Sequence, residues 1–123
     1  MKKVVLGEPK HLPGFELLRA LNAIECAVVP VNRSDDIFKM LEVRSDWDAV
    51  MVCGWVEPMQ GIDIVHRLAA DERYKHLRLI LYVSDIKEAD EEVHGQKKLG
   101  NVVYLNEDTM FDGDTLRTAL LGP

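Results

Sequence analysis

Residues 47–84 read WDAVMVCGWVEPMQGIDIVHRLAADERYKHLRLILYVS, and this stretch decides the fold. The run 49–53 is unbroken in hydrophobicity, with no alternation of apolar and polar positions. A strand buried on both faces reads that way, whereas a strand with one wet face alternates. Gly54, Pro58 and Gly61 then interrupt the chain, after which Ile62, Val65, Leu68 and Ala69 recur at helical spacing. A second unbroken run, 79–83, follows. Strand, helix and strand in that order predict a parallel βαβ unit.

The same alternation extends in both directions. Further apolar runs occupy 4–6, 27–31 and 102–105. Between and after them, Leu18, Leu21 and Ile24 share a helical stripe, as do Ile37, Met40 and Leu41, and finally Leu116, Ala119 and Leu120. Ser34 ahead of Asp35 and Asp36 predicts an N-cap followed by acids that suit the helix dipole. Asp112 or Asp114 caps the last helix on the same logic. The segment 86–99 is the weakest helix: Ile86, Ala89 and Val93 form its stripe, Gly95 interrupts it, and Asp90, Glu91 and Glu92 crowd one turn. Five strands alternating with five helices predict an α/β domain spanning 1–123, doubly wound around a parallel five-stranded sheet of order 2-1-3-4-5. In that topology a site forms at the carboxyl ends of strands one and three. Those ends are Gly7–Glu8 and Cys53–Gly54, with the fourth and fifth strands ending nearby at 83–84 and 106–107.

Composition excludes several functions. The formal charge of −6, with 15 Lys and Arg scattered along the chain, does not supply the clustered basic face that nucleic acid requires. No apolar run approaches the roughly 20 residues that span a bilayer, and the four apolar residues before Glu8 are too few for a secretory signal. A cytoplasmic, membrane-free protein is the expectation. In that reducing setting Cys26 and Cys53 are expected as thiols. His11, His66, His76 and His94 lack metal-ligand spacing. Neither G-x-G-x-x-G nor G-x-x-x-x-G-K-[ST] is present, so the phosphate cradles of dinucleotide and P-loop sites are missing. The loop after strand one, Glu8-Pro9-Lys10-His11-Leu12-Pro13, also lacks the hydroxyls and glycines of a flavin phosphate loop.

On residues 47–84 the chain resembles the response regulator receiver family of two-component signalling. Met59, Gly61, Asp63, Arg67, Leu68, Ala70, Asp71, Arg73, His76 and Ile80 fall where such residues commonly sit. The resemblance covers the chain in strand and helix order and implies a flavodoxin-like three-layer sandwich. In a working receiver an Asp takes a phosphoryl group, two acids on strand one hold Mg²⁺, and a strand-four hydroxyl and a strand-five Lys contact the phosphoryl oxygens. Here the acid pair becomes Gly7 and Glu8, and the acceptor becomes Cys53. A count of thirty residues from the acceptor places Val83 at the hydroxyl position, with Ser84 one step beyond. The Lys position falls on Asn106 or Glu107, depending on register, and the loop Pro is displaced by one, to Pro58.

Four such departures together imply a degenerate, non-enzymatic pseudo-receiver without Mg²⁺ or any other cofactor. It would act as a protein-interaction module within a phosphorelay. Two other readings use the same pocket: a receiver still switchable through Glu8 with Ser84 or Cys53, and a small-molecule or redox sensor. Trp55, two residues past Cys53, is a lid over the vacated pocket, a partner contact, or packing on the third helix. Trp47 reads as edge packing ahead of strand three. The resemblance places protein partners, and a possible homodimer, on the face of the fourth helix, fifth strand and fifth helix, through Glu91, Glu92, Lys97 and Tyr104.

Overall fold

The computed structural model describes residues 2–8, 19, 21–83, 102–106 and 113–121. In chain order these form β1 (Lys2–Gly7), β2 (Cys26–Val31), α1 (Ser34–Val43), β3 (Ala49–Val52), β4 (Trp55–Val56), β5 (Met59–Gln60), α2 (Gly61–Ala69), a 3₁₀ turn (Glu72–Tyr74), β6 (Arg78–Val83), β7 (Val102–Asn106) and α3 (Gly113–Leu121). Strands β1, β2, β3, β6 and β7 are the five expected from the apolar runs. They make one parallel sheet in the order β2-β1-β3-β6-β7. This is the predicted doubly wound order, with β6 and β7 as strands four and five.

Burial explains the unbroken runs. Val4, Val5 and Leu6 of β1, and all of β3, are covered on both faces. β2 lies at the sheet edge, where Val29 and Pro30 are exposed; a proline is tolerated there because an edge strand leaves N–H groups unpaired. Helices flank the sheet. α2 buries Ile62, Ile64, Val65 and Leu68, while α1 buries Ile37 and Leu41. α3 buries Leu116, Ala119 and Leu120. At its end Arg78 Nε donates to the Ala119 carbonyl at 2.7 Å, a cation satisfying a helix C-terminus. No helix among the described residues is long and apolar enough to cross a membrane.

Three local readings are corrected. Ser34 is not the N-cap of α1: Arg33 holds that position, and no side chain caps it. Ser34 instead begins the helix, fully buried, and its N–H and Oγ both donate to the Glu57 carbonyl, at 2.9 and 3.4 Å. Trp47 is core rather than edge packing. It is 4% exposed, and its indole Nε1–H donates to the Met40 carbonyl at 3.1 Å. The stretch after Cys53 is a small antiparallel hairpin, β4–β5, turning at a cis Glu57–Pro58 peptide. Two-residue strands carry no periodicity, so sequence reading finds only a loop there. The weak helix at 86–99 lies outside the described residues, as do Leu18 and Asp112.

Candidate functional site

The carboxyl ends of β1, β3 and β6 meet at one place. Cys53 follows β3 directly and its N–H donates to the Gly7 carbonyl at 3.1 Å, which ties the tips of β1 and β3 together. Glu8 follows β1; its N–H donates to Val31 at 3.0 Å, and its own carbonyl accepts from Asn32 Nδ2 at 3.3 Å. Both side chains are buried, with Glu8 7% and Cys53 5% exposed. Gly7, Glu8 and Cys53 therefore converge as expected.

The sheet register brings Tyr82 to this pocket, one residue before Val83, the last residue of β6. The last β3–β6 pair is Val52 beside Leu81, so Cys53, one residue on, lies beside Tyr82. Tyr82 OH donates to Glu8 Oε2 at 3.2 Å, a buried bond between side chains 74 residues apart in sequence. Sequence reading misses it because a tyrosine within an apolar run reads as core; its hydroxyl is the one signal that marks it out.

This bond does more than satisfy two polar groups. β1 and β6 are separated by β3, hence by roughly 10 Å at ordinary strand spacing. The phenol and the carboxylate together bridge the end of β3, where Cys53 sits. The Cys53 thiol donates in turn to the Trp55 carbonyl at 2.9 Å. Trp55 itself is 47% exposed on β4.

Electrostatics follow from burial. Desolvation pushes the Glu8 carboxyl above its usual range, and the Tyr82 hydrogen bond offsets part of that rise. For Tyr82, burial, then the neighbouring Cys53 and Glu8, hold the hydroxyl far above the usual phenol range, so it remains a donor. A carboxyl whose folded pKa exceeds its unfolded one contributes stability that is fully present below the unfolded pKa. That contribution is lost as pH rises through the folded value. Glu8→Gln keeps the shape and an acceptor for Tyr82 while removing the charge. It is expected to melt above the wild type at pH 7.5, with the difference closing towards pH 4, as followed by circular dichroism.

A Mg²⁺ ion in a receiver needs an octahedron of oxygen ligands, carboxylates foremost. At position 7 a Cβ would meet Ile37 Cδ1 at 2.7 Å, Val52 Cγ1 at 3.2 Å and Val56 Cγ2 at 3.4 Å. A side chain there would enter apolar surroundings rather than the pocket. Glu8 is already engaged by Tyr82, and Cys53 presents sulfur. Among the described residues no three His, Cys, Asp or Glu side chains are grouped to hold a metal. These donors do not fit the ion.

Of the remaining expected residues, Asn106 ends β7, beside Val83 in the ladder, and Tyr104 is half-buried on the same strand beside Leu81. Ser84, Glu107, Glu91, Glu92 and Lys97 lie outside the described residues.

No family model and no curated protein matches the chain. Solved structures do. A chemotaxis response regulator of Vibrio cholerae superposes with a TM-score of 0.75 at 15% identity, covering 98% of this chain and 99% of that one. The receiver domain of a Pseudomonas aeruginosa sensor histidine kinase, with a magnesium ion coordinated in its active-site cleft, gives 0.77 at 15% identity, covering 99% and 98%. A phosphorylated cyanobacterial phytochrome response regulator gives 0.75 at 16% identity, covering 98% and 94%. At such identities the likeness is one of fold: this chain has the receiver fold.

Proposed function

We propose that this chain is a pseudo-receiver, a non-enzymatic protein-interaction module of two-component phosphorelay signalling that works in the cytoplasm without phosphorylation and without Mg²⁺. The receiver fold supports the signalling context. The observation that carries the loss of phosphorylation is the Tyr82–Glu8 bond bridging the end of β3. In a working receiver that space takes the phosphoryl group, and its charge is met by metal and cation. Here the space holds a phenol donating to the one remaining strand-one carboxylate, and the acceptor position is a thiol already bonded to a carbonyl. A buried thiol in that setting supports neither the redox nor the nucleophilic alternative, since reactive thiols are partly exposed beside positive charge.

Melting in the presence of Mg²⁺ tests the reading. An ion bound to the folded state at a hundredfold excess over its dissociation constant stabilises it by about 2.7 kcal/mol. For a domain of this size that is roughly a 10 °C rise. Millimolar Mg²⁺ is expected to leave the melting temperature where Na⁺ at equal ionic strength leaves it. A rise specific to Mg²⁺ would restore the switchable-receiver alternative.

A further inference from the structure

We propose that the cavity between the end of α1 and the 3₁₀ turn binds a small, uncharged aromatic molecule of two fused rings.

The cavity measures about 230 Å³, and its floor is Leu41, Trp47, Tyr74 and Leu77. All four side chains are buried. Trp47 leads into β3 and Leu77 into β6, so the cavity lies at the opposite end of the sheet from Glu8, Cys53 and Tyr82. The floor is fixed by hydrogen bonds. The Trp47 indole donates to the Met40 carbonyl at 3.1 Å, Tyr74 N–H to Asp71 at 3.0 Å, and Leu77 N–H to Tyr74 at 3.0 Å. A preformed apolar cavity of about 150 Å³ takes one benzene ring, and this one has room for two.

The rim selects against charge. Arg44 and Arg73 line the cavity and lie over the Trp47 and Tyr74 rings, at 5.8 and 5.0 Å from the ring centroids. Each already has its acid: Arg44 pairs with Asp46 and Arg73 with Asp71, both at 2.9 Å. Lys3 shares Asp46, and Lys75 pairs with Glu72 at 3.4 Å. Glu42, the acid in the lining, acts on Arg73 together with Asp71. Lys39 and Val43, four residues apart, share a side of α1 that does not line the cavity. A charged ligand would have to break one of these pairs, whereas a neutral one leaves them in place.

The same guanidinium groups favour a flat ring, because their planes stack on aromatic faces and gain nothing comparable from an aliphatic of equal volume. Ser45 and His76 also line the cavity, and neither side chain is hydrogen-bonded among the described residues. A ring N–H or hydroxyl finds its partner there. The ring of charged side chains fits a small molecule better than a protein partner, since the centres of protein interfaces are depleted in charge.

The probe is indole, titrated into the ¹⁵N-labelled chain and followed by ¹H–¹⁵N NMR. Saturable shifts are expected for Trp47 Nε1–H and for the Ser45 and Leu77 amides. The expected dissociation constant is roughly 0.1–1 mM, which is what so few heavy atoms support. Indole-3-carboxylate, which adds a charge, and cyclohexylmethanol, which lacks the flat ring, should each bind about tenfold more weakly. Arg44→Ala with Arg73→Ala should weaken indole about tenfold as well. Those side chains are 55% and 65% exposed, so the double variant should melt within a few degrees of the wild type. Arg117→Glu, exposed on α3, should leave binding unchanged. The proposal is overturned by the absence of saturable shifts up to about 10 mM indole. Shifts centred on other residues, equal affinity for the anion or the aliphatic, or affinity unmoved in the folded double variant overturn it too. Should the double variant unfold, the comparison of the three ligands on the wild type decides. None of these outcomes touches the loss of phosphorylation, which concerns the other end of the sheet.

Discussion

Replacing Gly61 by alanine is expected to destabilise the protein by about 3 kcal/mol or more, among the largest effects of any single methyl added to a core. A Cβ at this position would stand 1.9 Å from the Cys53 carbonyl oxygen and 2.7 Å from Leu81 Cδ1. The first of these is backbone, at the tip of β3, and has no rotamer to yield. Relief requires α2, which Gly61 begins, to withdraw from the sheet, and α2 carries Ile62, Ile64, Val65 and Leu68 in the core. The glycine is required by proximity rather than by backbone conformation. Since small domains are stable by only about 5–15 kcal/mol, the variant is expected to lose a large share of its stability. Urea denaturation monitored by circular dichroism gives the number. A loss below about 1 kcal/mol would mean that α2 and β3 are not packed as described.

Trp47→Ala is expected to cost about 3–5 kcal/mol, the usual range for removing a buried aromatic. The indole is 4% exposed, donates to the Met40 carbonyl at the end of α1, and lies under the Arg44 guanidinium at 5.8 Å from its ring centroid. It joins the C-terminal end of α1 to the entry of β3. Trp47→Phe separates the contributions: most of the apolar contact is retained, the N–H donor is lost, and a smaller loss of about 1–2 kcal/mol is expected. Denaturant midpoints for the two variants check both values. Equal and negligible losses would return Trp47 to the surface role that its place before the strand suggests.

The sheet was legible because its physics is written in runs: a stretch buried on both faces must be apolar throughout, and residues 4–6 of β1, all of β3 and residues 79–81 of β6 are. Strand order followed from the alternation of strands and helices. Gly7, Glu8 and Cys53 were legible as neighbours because topology alone brings the ends of strands one and three together. Tyr82 was not, for two reasons. Its position depends on register, which apolar runs alone do not fix to one residue. Its role depends on a partner 74 residues away, to which no local pattern points. The β4–β5 hairpin was hidden by its size, and Ser34 by the Glu57 carbonyl, which accepts both its N–H and its hydroxyl and holds it inside the helix. Trp47 shows a related limit: a lone aromatic beside a strand has the same sequence signature whether it closes a core or rests on an edge.

The claim that this receiver fold no longer accepts a phosphoryl group is tested most directly by intact mass. The purified chain is incubated with acetyl phosphate and Mg²⁺ beside a functional receiver domain as the positive control, and both are weighed without acid or base treatment. The expected result is an unchanged mass for this chain while the control gains one phosphoryl group. A stable gain of one phosphoryl mass here, lost when Cys53 or Glu8 is replaced, would contradict it.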